Sequence, residues 1–321
     1  MKKALITGIG GQDGIYLAQF LAKKNYQVFG ILNPNSLKKF DPKKYNLSCT
    51  LIHDCDIANF KSIEKVLCDI QPDEIYHLAS SAEPKVVNNE ELSIFEVNFI
   101  PGINILNVVK VYLPKSKIYL AGSSLMFGST LDSTQSETTP MMPNTPYGIA
   151  KVALYNFMKM YRDVYGVNTC MGILYNHESP IRSERFLPRK ITKAAAHISA
   201  GKQLDLKLGD LTITRDWSYA GDIVKSMWLM LQSNILEDYV VGSGVLHTPE
   251  DILNIAFSEV GLDWSKYVKT DKSLYRLVEC TKLCANPKKI NKELNWKPVT
   301  SFREMIISMV REDMKLEKHL D

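Results

Sequence analysis

Along the first half of the chain, short apolar runs alternate with longer stretches in which apolar residues recur at helical spacing. Residues 3–7 (Lys-Ala-Leu-Ile-Thr) form an apolar run closed by a glycine-rich turn, and residues 15–24 continue with the period of an amphipathic helix. The same pattern predicts strands over 26–32, 49–53, 74–79, 117–121 and 169–175, and helices over 63–70, 98–112 and 147–165. Strands separated by helices in this rhythm imply a Rossmann-like, doubly wound parallel sheet with helices on both faces. Past Tyr175 the rhythm loosens, and Pro180, Pro188, Pro249, Pro287 and Pro298 punctuate shorter helices. That part is expected to form a smaller lobe over the carboxyl ends of the strands, where open α/β sheets bind ligands. Residues 222–231 (helix) and 239–241 (strand) are expected to return to the main sheet, so the boundary near residue 170, dividing 1–170 from 171–321, is a soft one. No internal repeat or low-complexity segment stands out.

Composition changes this picture little. The 321 residues suffice for one large domain or two lobes, and 45% hydrophobic content is that of an ordinary globular protein. With 39 Lys and Arg against 35 Asp and Glu, the net charge of +4 is too small and dispersed to argue for nucleic acid or a membrane surface. No apolar run is expected to span a membrane, the first strand leaves no room for a signal peptide, and a cytoplasmic location is expected. The six cysteines contain no C-x-x-C pair, and neither they nor the six histidines have metal-ligand spacing, so reduced, mostly buried thiols are expected and no metal.

Two constellations carry chemistry. After the first strand comes Gly8-Ile-Gly-Gly11-Gln12-Asp13-Gly14, with glycines spaced G-x-x-G-x-x-G. Gly8 permits a tight turn, Gly11 lets the backbone approach a pyrophosphate, Gly14 allows close helix packing, and the helix N-terminus supplies free N–H groups and partial positive charge. The second is Tyr147-Gly-Ile-Ala-Lys151 with Ala121-Gly-Ser123-Ser124 upstream. Tyrosine and lysine at i and i+4 share a helical face, so the Lys151 ammonium is expected to favour the ionised Tyr147 phenol and make it a proton acceptor near neutral pH. Ser123, from a strand end, would hold the alcohol or carbonyl oxygen being interconverted.

The run Thr7-Gly-Ile-Gly-Gly-Gln-Asp-Gly-Ile-Tyr-Leu-Ala18, together with the serine, tyrosine and lysine, resembles the extended short-chain dehydrogenase/reductases, in particular the GDP-mannose 4,6-dehydratases. The likeness continues in Tyr175-Asn-His-Glu-Ser-Pro180, Arg189-Lys-Ile-Thr192, Arg215-Asp-Trp217, Met227-Trp-Leu-Met-Leu-Gln232 and Asn295-Trp-Lys-Pro298, spanning nearly the whole chain. The resemblance implies a dinucleotide-binding first part and a nucleotide-sugar-binding second part. It further implies that Asp56 and Ile57 contact adenine, that Leu78, Ala79 and Ser80 pass beneath the cofactor, and that His177 and Arg182 lie along it. Tyr147 and Lys151 would also hold the nicotinamide ribose. Asn176, Lys190, Arg215, Arg276 and Glu279 match positions that bind the nucleotide diphosphate of a GDP-sugar, for which arginine forks and a ribose-binding carboxylate are suited. A homodimer or homotetramer is implied as well.

Two departures from that family matter. Dehydratases carry a glutamate two residues after the catalytic hydroxyl, and this chain has Leu125 there, which neither accepts nor donates a proton. Where paired arginines clamp the 2′-phosphate of NADP, this chain has Asn33-Pro34-Asn35-Ser36, with Lys38 or Lys39 as the nearest cations. The expected cofactor is therefore NAD(H), tightly bound, rather than NADP. The expected activity is oxidation or reduction at C4 of a GDP-linked manno-configured hexose or heptose, without loss of water, in the supply of sugars for bacterial surface polysaccharide. The alternatives are a GDP-sugar 4-epimerase, a dehydratase using another acid/base such as Glu83, and a noncatalytic dinucleotide-binding regulatory protein.

Overall fold

Strands β1 (Lys3–Thr7), β2 (Gln27–Ile31), β3 (Thr50–Ile52), β4 (Glu74–His77), β5 (Lys117–Ala121), β6 (Thr169–Leu174) and β10 (Tyr239–Val241) pair, all in parallel, into one seven-stranded sheet. These come from a computed structural model that describes residues 1–33, 38, 40–52, 55–81, 91–274 and 282–318. The strand order is β10-β6-β5-β4-β1-β2-β3. From β1 the chain winds one way through β2 and β3, then returns to the other side of β1 for β4 onward. This reversal opens a crevice at the carboxyl ends of β1 and β4, the place where doubly wound sheets take their ligands.

Alternation along each strand divides the core between the two faces. Leu5, Ile118 and Leu120 join the apolar cluster shared with α2 (Phe60–Ile70), α3 (Glu91–Tyr112) and α4 (Pro146–Tyr165). Ala4, Ile6 and Tyr119 face the opposite cluster, packed with α1 (Gln12–Lys23) and α6 (Ala220–Gln232). Each fully buried aliphatic side chain here contributes roughly 1.5–3 kcal/mol.

The helices begin earlier than the periodicity implies, α2 at Phe60 rather than residue 63 and α3 at Glu91 rather than 98. In α2 the reason is a cap: Asn59 accepts from Ser62 N, which starts the helix a turn before its first buried residue. Helix α3 has 22 residues and an 18-residue window of mean hydropathy 1.5, enough by length and composition alone to cross a membrane. In this fold it is a core helix, packed between α2 and α4, with Asn98 and Asn104 buried on backbone carbonyl partners.

The rest of the chain builds a lobe around a third cluster. Helices α5 (Leu187–Ser199), α7 (Pro249–Glu259) and, after the short α8 (Lys288–Leu294), α9 (Phe302–Lys318) surround Trp217 of β9 (Arg215–Tyr219). Strand β9 lies between β7 (Asn176–Glu178) and β11 (Leu246–His247), while β8 (Leu206–Leu208) pairs with β12 (Val268–Thr270). A buried Arg189–Asp313 ion pair ties α5 to α9. Cys55, Cys170 and Cys284 are buried, Cys49 and Cys68 half-buried, and all five are free thiols.

Candidate active site at the sheet switch point

Helix α4 opens with Pro146 in its first turn, and the Thr145 hydroxyl accepts from Gly148 N at 3.1 Å. This cap sets Tyr147 in the first turn, at the mouth of the crevice, and Lys151 one turn deeper. After β5 the chain is extended at Ser123 and then turns through Ser124–Met126, with Ser123 Oγ accepting from Leu125 N at 3.3 Å. A Cβ on Gly148 would stand 2.6 Å from Leu125 O, so only glycine lets the start of α4 pack against that turn. The approach brings Ser123 to Tyr147: the half-buried phenol lies within hydrogen-bonding reach of the hydroxyls of both Ser123 and Ser80. Three sequence-predicted residues thus converge, and Ser80, expected only to pass beneath a cofactor, joins them.

The electrostatics differ from expectation. Lys151 is almost wholly buried, and its ammonium donates to Ala121 O at 2.9 Å. Burial pulls its pKa down to about 8. The ammonium lies 5.6 Å from the centre of the Tyr147 ring. Yet desolvation holds the phenol above its ordinary value, outweighing the hydrogen bonds from Ser80 and Ser123 and the nearby Arg182. A phenol in this state is a proton donor until a further positive charge is placed beside it.

Leu125 follows Ser123 by two positions, half-buried, its side chain packed on the core cluster beneath the sheet. Glu83, the other carboxylate considered for acid/base work, lies outside the described residues.

Beneath these groups runs the glycine loop. Gly8 has φ +76°, and a Cβ there would meet the Ala79 backbone at 2.9 Å, so β1 and the segment after β4 touch at this point. Ala79 N donates to Thr7 Oγ1 at 3.2 Å, and Thr7 Oγ1 lies 2.8 Å from His77 Nδ1. Burial, with Lys151 nearby, pushes His77 down to about 3 and keeps it neutral. A Cβ on Gly14 would collide with Gly8 O at 2.5 Å, confirming its packing role. Gly11 is the N-cap of α1 and no side chain caps that end. With no side chain on them, the N–H groups at the start of α1 are the kind of donors a diphosphate takes, which fits a dinucleotide.

The loop is fastened to β7 by side chains. Gln12 Nε2 donates to His177 O at 3.1 Å, Ser179 Oγ donates to Gln12 Oε1 at 2.7 Å, and Asp13 Oδ2 lies 2.8 Å from His177 Nε2. Arg182 Nε stands 3.3 Å from the buried Glu178 carboxylate. The Asp13–His177 pairing across 164 residues has no local signal, although both partners stand in motifs singled out above.

Farther out, Asp56 is exposed and turns the chain into α2 by accepting from Ala58 N, while Asn104 holds the Ile57 carbonyl. Asn176 and Arg215 lie on the paired strands β7 and β9; the guanidinium of Arg215 donates to Thr214 O at 2.7 Å. Lys190 is exposed on α5 and reaches Lys207 O at 2.9 Å. Lys38 is exposed. Arg276, Glu279, Pro34, Asn35, Ser36 and Lys39 lie outside the described residues.

The GDP-mannose 4,6-dehydratase family model matches residues 5–309. A GDP-mannose 4,6-dehydratase of Arabidopsis thaliana is 40% identical over 99% of this chain and 88% of its own. The GDP-mannose 4,6-dehydratase of Vibrio cholerae is 33% identical, over 98% of this chain and 94% of its own. In three dimensions, the UDP-glucose 4-epimerase of Thermotoga maritima superposes with a TM-score of 0.85 at 20% identity, covering 99% of this chain and 100% of that one. The dTDP-glucose 4,6-dehydratase of Bacillus anthracis, solved with NAD, gives 0.81 at 19% identity, covering 99% and 98%. The fold is thus that of nucleotide-sugar epimerases and dehydratases, and this chain belongs to the GDP-mannose 4,6-dehydratase family.

Proposed function

We propose that this chain is a nucleotide-sugar oxidoreductase that moves a hydride between NAD and C4 of a GDP-linked manno-configured hexose or heptose and stops before water is eliminated. The observation that carries this reading is Leu125 where the family's dehydratases place their acid/base, beside an otherwise complete set of Ser123, Tyr147 and Lys151. The cradle of Gly8, Gly11 and Gly14 suits the dinucleotide diphosphate. Asp56 and Ile57 would face its adenine end, and Leu78 to Ser80, His177 and Arg182 its length. NAD supplies the hydride acceptor and, when oxidised, a positive ring. Ser123 and Ser80 orient the reacting oxygen and the phenol. Tyr147 takes the hydroxyl proton as C4 loses hydride, or returns it in the reduction, and Lys151 stabilises the phenolate by its charge. Elimination would in addition need the C5 proton removed and the C6 hydroxyl protonated, and a leucine side chain does neither.

Substrate diphosphate and ribose binding would fall to Asn176, Lys190, Arg215, Arg276 and Glu279, residues 1–170 serving the dinucleotide and 171–321 mainly the sugar nucleotide. NAD is favoured over NADP because Asn33 stands where a phosphate clamp would begin. The product would feed the synthesis of bacterial surface polysaccharide, such as capsule, in the cytoplasm. We also place a second copy of the chain on helices α3 and α4, which pack together and expose Leu92, Val97, Ile149, Phe157 and Val164. Light scattering on the purified chain tests this: a monomer overturns it.

The deciding experiment incubates the purified protein with GDP-mannose and with GDP-mannoheptose in heavy water, followed by mass spectrometry of sugar and cofactor. A product short of two hydrogens, with reduced NAD and no deuterium at C5, supports the reading. A 4-epimer would make the same site an epimerase. A 6-deoxy-4-keto sugar carrying C5 deuterium would overturn it.

A further inference from the structure

His177 sits between two atoms that only accept. Its Nδ1 is 2.7 Å from the carbonyl oxygen of Tyr175, and its Nε2 is 2.8 Å from Asp13 Oδ2. A neutral imidazole has one N–H and satisfies one of these partners. The arrangement therefore demands an additional proton, on the ring or on the carboxyl, and either way the Asp13–His177 pair is electrically neutral. His177 is 9% exposed, so water offers little relief.

The position of the pair gives this neutrality a use. Asp13 lies in the first turn of α1, two residues after the N-cap Gly11, and its carboxylate turns to His177 instead of capping the helix. A bare carboxylate there would repel any anion approaching the cradle. Gln12 strengthens the tie, since its Nε2 donates to both Asp13 Oδ1 and His177 O. Beside it Glu178 and Arg182 form a second opposed pair, at 3.3 Å. The other groups that Asp13 faces are the phenols of Tyr119 on β5 and Tyr147 on α4, both raised and uncharged.

We propose that His177 is a positioning residue that cancels the Asp13 charge at the cradle, so that the proton held by this pair sets how tightly the dinucleotide is bound. The inference rests on the reading above that the cradle takes a dinucleotide. Burial by itself would push the imidazole down and Arg182 opposes its charge, but Asp13 outweighs both and leaves His177 above its ordinary value. The Asp13 carboxyl, which burial would raise, is correspondingly lowered by His177. The pair thus releases its proton at a higher pH than a free imidazole would.

Two measurements on the full chain, freed of any co-purifying nucleotide, test this. In histidine-labelled protein, nitrogen NMR should find both ring nitrogens of His177 protonated at neutral pH, and one of them bare in Asp13→Asn. NADH titrations should give a dissociation constant about tenfold weaker for His177→Gln, which keeps a donor but loses the charge. The double variant Asp13→Asn/His177→Gln should recover most of the lost affinity. Wild-type affinity should weaken as pH rises, and that of Asp13→Asn should not. A neutral His177 ring in wild type, or a double variant no better than His177→Gln, overturns the inference while wild-type NADH binding still upholds the dinucleotide reading. Failure of wild type to bind NADH overturns both.

Discussion

The proposed reacting centre at Ser123, Tyr147 and Lys151 and the glycine-loop cradle below it treat buried charge in different ways. At the cradle every charge has a counter-charge: Asp13 with His177, Glu178 with Arg182. At the Ser123–Tyr147–Lys151 site the buried Lys151 ammonium donates to the Ala121 carbonyl and has no carboxylate partner among the described residues, and Tyr147 meets the hydroxyls of Ser80 and Ser123. The outcome follows from electrostatics. Asp13 goes down and His177 up, each toward its charged form, whereas at Glu178 burial outweighs Arg182 and raises the carboxyl. At the other site desolvation wins, Lys151 falling to about 8 and Tyr147 rising, each toward its neutral form. The Asp13–His177 pair is thus held toward its charged forms, whereas Lys151 and Tyr147 are left toward their neutral ones.

The largest expected way to break this contrast is Tyr147→Phe, which removes the movable proton and leaves the cradle untouched. Turnover should drop at least about a hundredfold, with NADH affinity within about threefold of wild type. Near-normal turnover in steady-state assays would remove Tyr147 from the mechanism.

His77 offers a second, structural case of an uncompensated group. With its folded pKa depressed to about 3 from 6.5, it is neutral in the fold but takes up a proton when unfolded below its ordinary value. The unfolded state binds more protons over that interval, so stability is full above about pH 6.5 and is lost as pH falls toward 3. Between pH 7 and pH 5 the loss should be about 2 kcal/mol, read from urea midpoints. His77→Gln should flatten this slope, and an unchanged slope would assign it elsewhere.

Smallest and sharpest is the alkaline limb. Lys151 is charged below about 8 and neutral above it. If its charge stabilises the phenolate, turnover falls above that pH, by about tenfold per unit at the steepest. A limb that persists unchanged in Lys151→Met would belong to another group.

Much of this site is legible along the chain because its parts are local. Tyr147 and Lys151 are one helical turn apart, Ser123 closes the adjacent strand, and the glycines of the loop follow β1 directly. Parallel strands alternating with helices also leave few topologies to choose from. The absence of an acid/base at Leu125 needs no structure to notice, since a single side chain's chemistry decides it. The sense of the pKa shifts was not legible: sequence spacing places the Lys151 charge near Tyr147 but says nothing of water.

Sequence by itself thus determined the doubly wound sheet, the glycine loop after β1 and which side chains are able to carry protons, because period, turn chemistry and functional group are properties of neighbours. Tertiary structure alone decided that His177 closes on Asp13, that Ser80 joins Ser123 at the phenol, and that burial sets Lys151 and Tyr147 toward their neutral forms. Charge state in a protein depends on which groups and how much water surround a site in space, and the fold brings those surroundings together from segments far apart in the chain.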